Sequence, residues 1–175
     1  DDLARAAIAK FANIHFASCK DSMKRLQSWG EKKQSIFNVG APQLDDIKIK
    51  KNKLDKNVIL VIFHPVLNEN ENINIQVKNL YEALNDNFDS NIIWIYPNND
   101  YGHEKITNKI KKMKKIKIIK NLDRDKFLDL LAKTKVLIGN SSCGIIEAPL
   151  LKIPVLNIGN RQNGRPQSIN IVNSN

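Results

Sequence analysis

The 175-residue sequence is poor in the residues that build disulfide scaffolds or metal sites. It has two cysteines, Cys19 and Cys143, and three histidines, with no Cys-x-x-Cys or His-x-x-x-His pair. Two distant thiols favour a reducing compartment, so we expect a cytoplasmic protein with no disulfide framework and no metal. Long apolar runs and a signal peptide are also missing, so no membrane partner is expected.

Aromatic residues are few as well, at 6%, and this bears on the net charge of +10. A basic surface is the electrostatic footprint of nucleic-acid binding. Here the excess is mostly lysine, scattered among Asn and Ile, with few rings on which bases could stack. The lysine-rich stretch 109–120 alternates with Ile and Met, as an exposed helix face and a following strand would. We therefore expect a solvated surface and no nucleic-acid partner.

The sequence does contain enough apolar residues, 42%, for a sizeable core. Helix-like and strand-like segments alternate at regular intervals, which predicts right-handed crossovers and an α/β fold with a doubly wound parallel sheet. The predicted helices are 1–12, 20–29, 73–87, 104–113, 124–133 and one beginning near 142; the predicted strands are 13–18, 35–39, 57–63, 91–96, 116–119, 136–138, 154–158 and 169–172.

A strongly charged stretch, 41–56, interrupts this pattern and marks the candidate domain boundary. We predict one unit over 1–40, a connection over 41–56 and a second unit over 57–175. The chain starts without Met inside a helix-like segment and stops after a strand-like one. We expect both ends to be cut from a longer protein.

The most informative stretch is Lys135–Pro149, which reads as a buried strand, a polar turn and a helix start. Gly139 lets the chain turn, and Gly144 offers no Cβ to a ligand approaching the backbone. A helix N-terminus attracts anions, so we expect a phosphate here, with Glu147 accepting hydrogen bonds from sugar hydroxyls. An ordinary capped helix behind a core strand is the alternative, because the turn also contains the residue types that cap helices: Asn140, Ser141 and Ser142.

Ligands of doubly wound sheets bind at the carboxyl ends of the strands. His64, the loop 97–100, the Asn-Ser-Ser turn and the loop 159–165 are all predicted to follow strand ends, so four polar loops converge on one rim. Arg161 and Arg165 could bind a diphosphate bidentately from there. Solvent-exposed arginines and a structural histidine are the alternatives.

A serine-hydrolase interpretation is rejected, because the nucleophile elbow needs a second Gly and a later His. All three histidines precede Ser141. Cys143 has no adjacent base in the sequence and is interpreted as a small packed residue.

Several motifs together resemble the UDP-N-acetylglucosamine 2-epimerase family, particularly its hydrolysing branch. They span nearly the whole chain: Phe37–Asp45, Phe63–Pro65, Tyr96–Asp100, Ile138–Pro149 and Pro154–Arg165. The resemblance implies a GT-B architecture of two Rossmann-like domains, with the tail of the first domain and most of the second in this chain. It also implies a UDP-sugar substrate, no cofactor, a missing N-terminal domain as partner and a homo-oligomer.

The resemblance implies a role for each matching residue. Ser141, Ser142 and Cys143 would hold the diphosphate and Glu147 the ribose hydroxyls. Arg165 would meet the phosphates, with Arg161 as a neighbour. The uracil ring would lie against Phe127 and the Leu122 backbone, and the catalytic groups would be His64, close to the leaving diphosphate, and the carboxylate of Asp1.

The implied reaction is elimination of UDP from the sugar, through a glycal, followed by addition of water. UDP-N-acetylglucosamine would give UDP and N-acetylmannosamine, feeding sialic-acid-like sugar synthesis. A non-hydrolysing epimerase, a GT-B glycosyltransferase and a non-catalytic nucleotide-binding module remain alternatives. We expect this chain alone to lack turnover, because the family's other acids would lie in the absent half.

Overall fold

The computed structural model describes residues 2–47, 57–66, 72–89 and 91–174. The chain divides into two compact units, Asp1–Lys48 and Ile49–Asn175. This division falls within the charged stretch 41–56, most of which lies outside the described residues. The limits of the predicted domains therefore stay predictions.

The first unit is a two-stranded parallel sheet with two helices, α1 (Asp2–Ala9), β1 (His15–Ala17), α2 (Lys20–Ser28) and β2 (Ile36–Asn38). Its strands are shorter than predicted because pairing is limited to three register positions. Inward-facing His15 and Ala17 alternate with exposed Ile14 and Phe16, the half-buried pattern of a strand with one open face. On that face, the rings of Phe16 and Phe37 lie 6.2 Å apart between centroids.

The second unit contains six parallel strands in the order β5-β4-β3-β6-β7-β8. Counted within this sheet alone, the order is 3-2-1-4-5-6, that of dinucleotide-type doubly wound folds. The strands and helices, in chain order, are β3 (Val58–Ile62), α3 (Ile73–Asn87), β4 (Ile92–Ile95), α4 (His103–Ile110), β5 (Ile116–Ile119), α5 (Arg124–Ala132), β6 (Thr134–Gly139), α6 (Glu147–Leu150), β7 (Val155–Ile158) and β8 (Ile171–Ser174).

The central strand β3 is buried on both faces, as its unbroken apolar sequence predicts. Ile59 and Val61 pack into one core cluster with residues of α3 and α4. Leu60 and Ile62 pack into a second cluster with residues of α5 and α6. Core on both faces of a parallel sheet confirms the predicted α/β, doubly wound fold.

Among the described strands, β5 lies at one edge of the sheet and pairs with β4. Lys117 lies exposed in the middle of this strand, between half-buried isoleucines. Three further exposed lysines flank the strand: Lys114, Lys115 and Lys120. The lysine-rich stretch therefore covers the end of α4 and an edge strand, with most of its charges in solvent.

Candidate functional site

The candidate site lies where the strand order reverses, at the carboxyl ends of β3 and β6. These two strands are neighbours in the sheet. From β3 the chain crosses over to β4 on one side, and from β6 it crosses over to β7 on the other side. Such a switch point opens a crevice between the loops that follow the two strands. His64 follows β3 and Asn140 follows β6, so both stand at the edge of this crevice.

Gly139 sets the close approach of these two strand ends. Its φ of +134° is a conformation that residues with a side chain rarely adopt. A Cβ built on Gly139 would lie 2.1 Å from the carbonyl oxygen of Ile62. The prediction that Gly139 turns the chain is therefore refined: only glycine lets β6 end against the backbone of β3.

Asn140 links three of the loops and is 1% exposed. Its side chain accepts from the backbone N–H of His64 at 2.7 Å and donates to the His64 carbonyl at 2.9 Å. Its own carbonyl accepts from Arg161 Nη1 at 3.2 Å and from the buried side chain of Gln162 at 2.7 Å. Asn140 is thus the centre of the rim.

The sequence reasoning missed this role, since it interpreted Asn140 as one of three capping residues. Of the three, Ser141 is the cap that the structure shows, accepting from the backbone N–H of Cys143 at 3.5 Å. Gln162 was missed entirely. A polar residue at the end of a buried strand is the signal that could have singled out Asn140.

The helix predicted to begin near Ser142 is wrong in its extent. Residues Ser142–Gly144 form a single 3₁₀ turn, and the four-residue α6 begins only at Glu147. Pro149 lacks a backbone N–H and fits only the first turn of a helix, so a helix that contains it cannot start at residue 142. The full helix dipole invoked for the phosphate is therefore missing. The N–H groups of Cys143 and Gly144 already donate to Ser141, which leaves the start of the turn, at Ser141 and Ser142, for a phosphate.

Cys143 and Gly144 are buried in this turn and contribute to the core. Burial raises the pKa of the Cys143 thiol to about 12, so the side chain is neutral and packed, as predicted. A Cβ on Gly144 would come within 3.0 Å of Val155 on β7. Gly144 is therefore needed for close packing against β7, and not, as predicted, for the approach of a ligand.

Glu147 is 8% exposed, and its carboxylate lies 3.5 Å from Arg124 at the start of α5. A carboxylate has about four acceptor positions, so this single long contact leaves room for further hydrogen bonds. The Arg124 contact also brings the start of α5 to the start of α6. Phe127 lies one turn into α5 and packs partly against the second core cluster, while the N–H of Leu122 donates to the Asn121 side chain at 2.9 Å.

His64 is half-buried, and its ring nitrogen Nδ1 contacts Asn98. Burial and, next, the positive charge of Arg161 lower the pKa of His64 from 6.5 to about 4, although Asn98 and Asp100 act in the opposite direction. The imidazole is therefore neutral near pH 7 in the free protein. A neutral ring beside an arginine is suited to take up a proton when an anion arrives.

The structure places the two predicted arginines differently. Arg161 contacts the Asn140 carbonyl and lies 3.7 Å from the carboxylate of Asp100, so it stands at the rim. Arg165 is partly exposed, and its backbone N–H donates to the carbonyl of Gln162. Asp1 lies outside the described residues, so its predicted role has no structural account.

A cavity of about 870 Å³ lies beside α3 and reaches Asn140. Its walls are largely apolar, with Val136, Ile138, Leu156 and Ile158 on the strand side. A diphosphate needs hydrogen-bond donors and positive charge, which the rim supplies and these walls do not. We therefore assign the candidate site to the rim.

The described segments contain no group of three or more His, Cys, Asp or Glu side chains that could hold a metal ion. None of their helices has both the length and the apolar composition needed to cross a lipid bilayer.

The strand order and the switch point define a doubly wound domain of the Rossmann type, with the polar rim as its candidate site. Comparison with known proteins narrows this class. The family model described as UDP-N-acetylglucosamine 2-epimerase matches residues 1–175. The chain belongs to this family, which confirms the resemblance seen in the sequence.

Two relatives are named as hydrolysing enzymes. The chain is 39% identical to UDP-N,N'-diacetylbacillosamine 2-epimerase (hydrolyzing) of Legionella pneumophila, over 98% of this chain and 49% of that protein. It is 34% identical to GDP/UDP-N,N'-diacetylbacillosamine 2-epimerase (hydrolyzing) of Campylobacter jejuni, over 99% of this chain and 50% of that protein. The chain thus spans about half the length of the curated relatives it matches.

Solved structures share the fold. The UDP-GlcNAc 2-epimerase of Neisseria meningitidis bound to UDP-GlcNAc has a TM-score of 0.66 at 20% identity, over 85% of this chain and 45% of that one. The Methanocaldococcus jannaschii enzyme in complex with UDP-GlcNAc and UDP has a TM-score of 0.65 at 24% identity, over 83% and 45%. The match to these GT-B-like epimerases confirms the predicted fold class.

Proposed function

We propose that the chain is the UDP-binding part of a hydrolysing sugar-nucleotide 2-epimerase. The substrate would be a UDP-linked 2-acetamido sugar, UDP-N-acetylglucosamine or a close relative such as UDP-N,N'-diacetylbacillosamine. Family membership and two relatives named as hydrolysing support this proposal. The observation that carries it is the polar rim, in which Asn140 holds His64 and Arg161 together at the switch point.

The proposed reaction begins with removal of the C2 proton of the sugar by a carboxylate. The bond between C1 and the diphosphate oxygen breaks, UDP leaves with the electron pair, and a glycal remains. Water then adds to C1, and a carboxylate returns a proton to the opposite face of C2. Acid–base groups with tuned pKa values are needed for both proton transfers. We propose Asp1 as one of these carboxylates.

Departure of UDP requires stabilisation of negative charge on the diphosphate. The hydroxyls of Ser141 and Ser142 and the backbone N–H of Ser142, at the start of the turn, are donors of the right kind. Arg161 adds positive charge at the same rim and is already held by the Asn140 carbonyl. His64, Arg165 and the backbone of Cys143, which lies in the same turn as the serines, complete the proposed diphosphate contacts.

The nucleoside would lie toward the starts of α5 and α6. Glu147 is nearly buried and keeps free acceptor capacity, which suits a pair of ribose hydroxyls. Phe127 and the backbone of Leu122 belong to the same region, because Arg124 lies between them in sequence and contacts Glu147. We propose that they flank the uracil ring.

The test is product analysis with a protein of the relatives' full length that contains this chain. UDP-N-acetylglucosamine and UDP-N,N'-diacetylbacillosamine are incubated separately and the mixtures followed by NMR. Free 2-epimerised sugar plus UDP is the expected result. An equilibrating pair of intact UDP-sugars would instead show a non-hydrolysing epimerase, and UDP release only with an added acceptor would show a glycosyltransferase.

The cellular setting is part of the same proposal. We propose a cytoplasmic homo-oligomer that supplies a 2-epimerised amino sugar for sialic-acid-like sugar synthesis. The hydrolysing names of the relatives support the released sugar as the product. Binding of UDP without turnover of either sugar nucleotide would reduce the proposal to a nucleotide-binding module.

A further inference from the structure

The polar contacts at the rim close into a ring. Asn140 holds the backbone of His64, and the ring nitrogen of His64 contacts Asn98. The Asn98 amide donates to Asp100 at 2.6 Å, and Asp100 lies 3.7 Å from Arg161, which returns to the Asn140 carbonyl. The loops after β3, β4, β6 and β7 are thus joined by side chains. Asn98 and Asp100 have no role in the proposed function so far.

Two atoms of Asn98 contact the same ring nitrogen of His64. The side-chain oxygen Oδ1 of Asn98 lies 3.0 Å from His64 Nδ1, and the backbone N–H of Asn98 lies 3.1 Å from the same atom. Oδ1 can only accept, so the first contact needs a proton on Nδ1, whereas the second needs a lone pair there. The two contacts belong to opposite tautomers of the imidazole. In both, Nε2 is the nitrogen left for a ligand.

Asp100 decides between the two tautomers. A carboxylate only accepts hydrogen bonds, so the Asn98 amide must turn its NH₂ group to Asp100 and Oδ1 to His64. A charge-assisted bond of 2.6 Å polarises the amide and makes Oδ1 a better acceptor. The Nδ1–H form is favoured as a result, with the lone pair on Nε2.

We propose that Asp100, acting through Asn98, is a positioning residue for His64, which it holds with Nδ1–H donating to Asn98 Oδ1 and with the Nε2 lone pair facing the ligand. The ligand is the diphosphate of the proposed function, on which this part of the inference rests. Diphosphate oxygens only accept hydrogen bonds, so Nε2 takes up a proton as UDP binds. The resulting imidazolium donates from both nitrogens.

The charged groups around His64 favour protonation of the ring when a diphosphate binds. Arg161 opposes a second positive charge on the ring, while Asp100 favours it. A bound diphosphate neutralises Arg161 and thereby removes the opposition. UDP binding is therefore expected to take up about one proton at pH 7, where the free ring is neutral and the terminal phosphate of UDP is largely ionised.

The first measurement needs no ligand. Long-range ¹H–¹⁵N NMR at pH 7 reports the protonated nitrogen of His64 in the 175-residue chain, with the signal assigned by His64→Gln. We call the connected residues Asp100, Asn98 and His64 the relay. The Nδ1–H form should dominate in the parent and in the control Asn99→Ala, whose exposed side chain neighbours the relay in sequence. Asp100→Asn and Asn98→Ala should shift the ring toward the Nε2–H form. An Nε2–H form in the parent, or equal populations in parent and variants, would overturn the relay.

The second measurement is calorimetric titration with UDP at pH 7, in two buffers of different ionisation enthalpy, with a protein of the relatives' full length that contains this chain. Proton uptake by the parent and Asn99→Ala, reduced at least twofold in Asp100→Asn, is the expected result. Equal uptake in the parent and Asp100→Asn would overturn the relay even if UDP binds. Failure of the parent to bind UDP would refute the proposed function instead, and the tautomer measurement would still decide the relay.

Discussion

Replacing Asn140 with alanine should lower the free energy of unfolding of the second unit by about 2–6 kcal/mol. The side chain is 1% exposed and satisfies both the N–H and the carbonyl of His64. Each buried polar group left without a partner costs about 1–3 kcal/mol. The backbone carbonyl oxygen of Asn140 still accepts from Arg161 and Gln162 after the substitution.

Urea unfolding of the 175-residue chain, followed by circular dichroism, measures this loss. With a slope of about 2 kcal/mol per molar urea, the midpoint should fall by about 1–3 M. Asn163→Ala is the matched control, because Asn163 is an exposed asparagine in the loop after β7. Its free energy of unfolding should stay within about 0.5 kcal/mol of that of the parent.

A second variant separates hydrogen bonding from lost volume. Asn140→Asp keeps the volume and the acceptor for the His64 N–H, but places an oxygen against the His64 carbonyl where Nδ2 now donates. It should destabilise at pH 7 about as much as alanine does. Equal midpoints for Asn140→Ala and Asn163→Ala would refute the reasoning that Asn140 joins the two strand ends.

Three further predictions concern a backbone contact, a titration and a ligand contact. Gly139→Ala should cost about 2–4 kcal/mol in urea unfolding, because its Cβ would meet the Ile62 carbonyl oxygen at 2.1 Å. The stability contributed by neutral His64 should be complete above pH 6.5 and should be lost as the pH falls from 6.5 to about 4, because the unfolded chain binds the proton more tightly in that range. Unfolding free energies of the parent and His64→Gln across this pH range measure this contribution. Glu147→Ala should weaken UDP binding by about 1–3 kcal/mol in calorimetry, and UDP should bind the parent better than UMP does.

Each of these has its own control. Gly159 also has a positive φ, but a Cβ there meets nothing within 4 Å, so Gly159→Ala should cost clearly less than Gly139→Ala. Identical pH profiles for the parent and His64→Gln would contradict the depressed pKa. Glu104→Ala removes an exposed glutamate of α4 and should leave UDP affinity unchanged; an equal effect of Glu104 and Glu147 would remove Glu147 from the site.

The fold was predictable because its strands and helices carry strong local patterns. The helix at 73–87 and the strand at 116–119 match the prediction residue for residue. Apolar, β-branched β3 could only be a strand buried on both faces. The strands of the first unit were overextended because the pattern around Ile14 and Phe16 continues beyond the three paired positions.

The centre of the site was harder to predict. The bonds of Asn140 to His64 join residues 76 positions apart, and no local pattern contains them. Convergence of the four loops was predictable from parallel topology, but which side chain would join them was not. The short length of α6 could have been predicted, because Pro149 fits only the first turn of a helix. The prediction instead followed the capping residues and started the helix too early.

The lysines of β5 connect the basic composition to association between molecules. An edge strand presents unpaired backbone groups that could pair with the edge of another copy. Lys117 in the middle of β5, with Lys114, Lys115 and Lys120 at its ends, would bring like charges together in any such pairing. Part of the net charge therefore protects the sheet from edge-to-edge aggregation. Replacing these lysines with threonine would keep the strand but leave the isoleucines of β5 open to a partner strand.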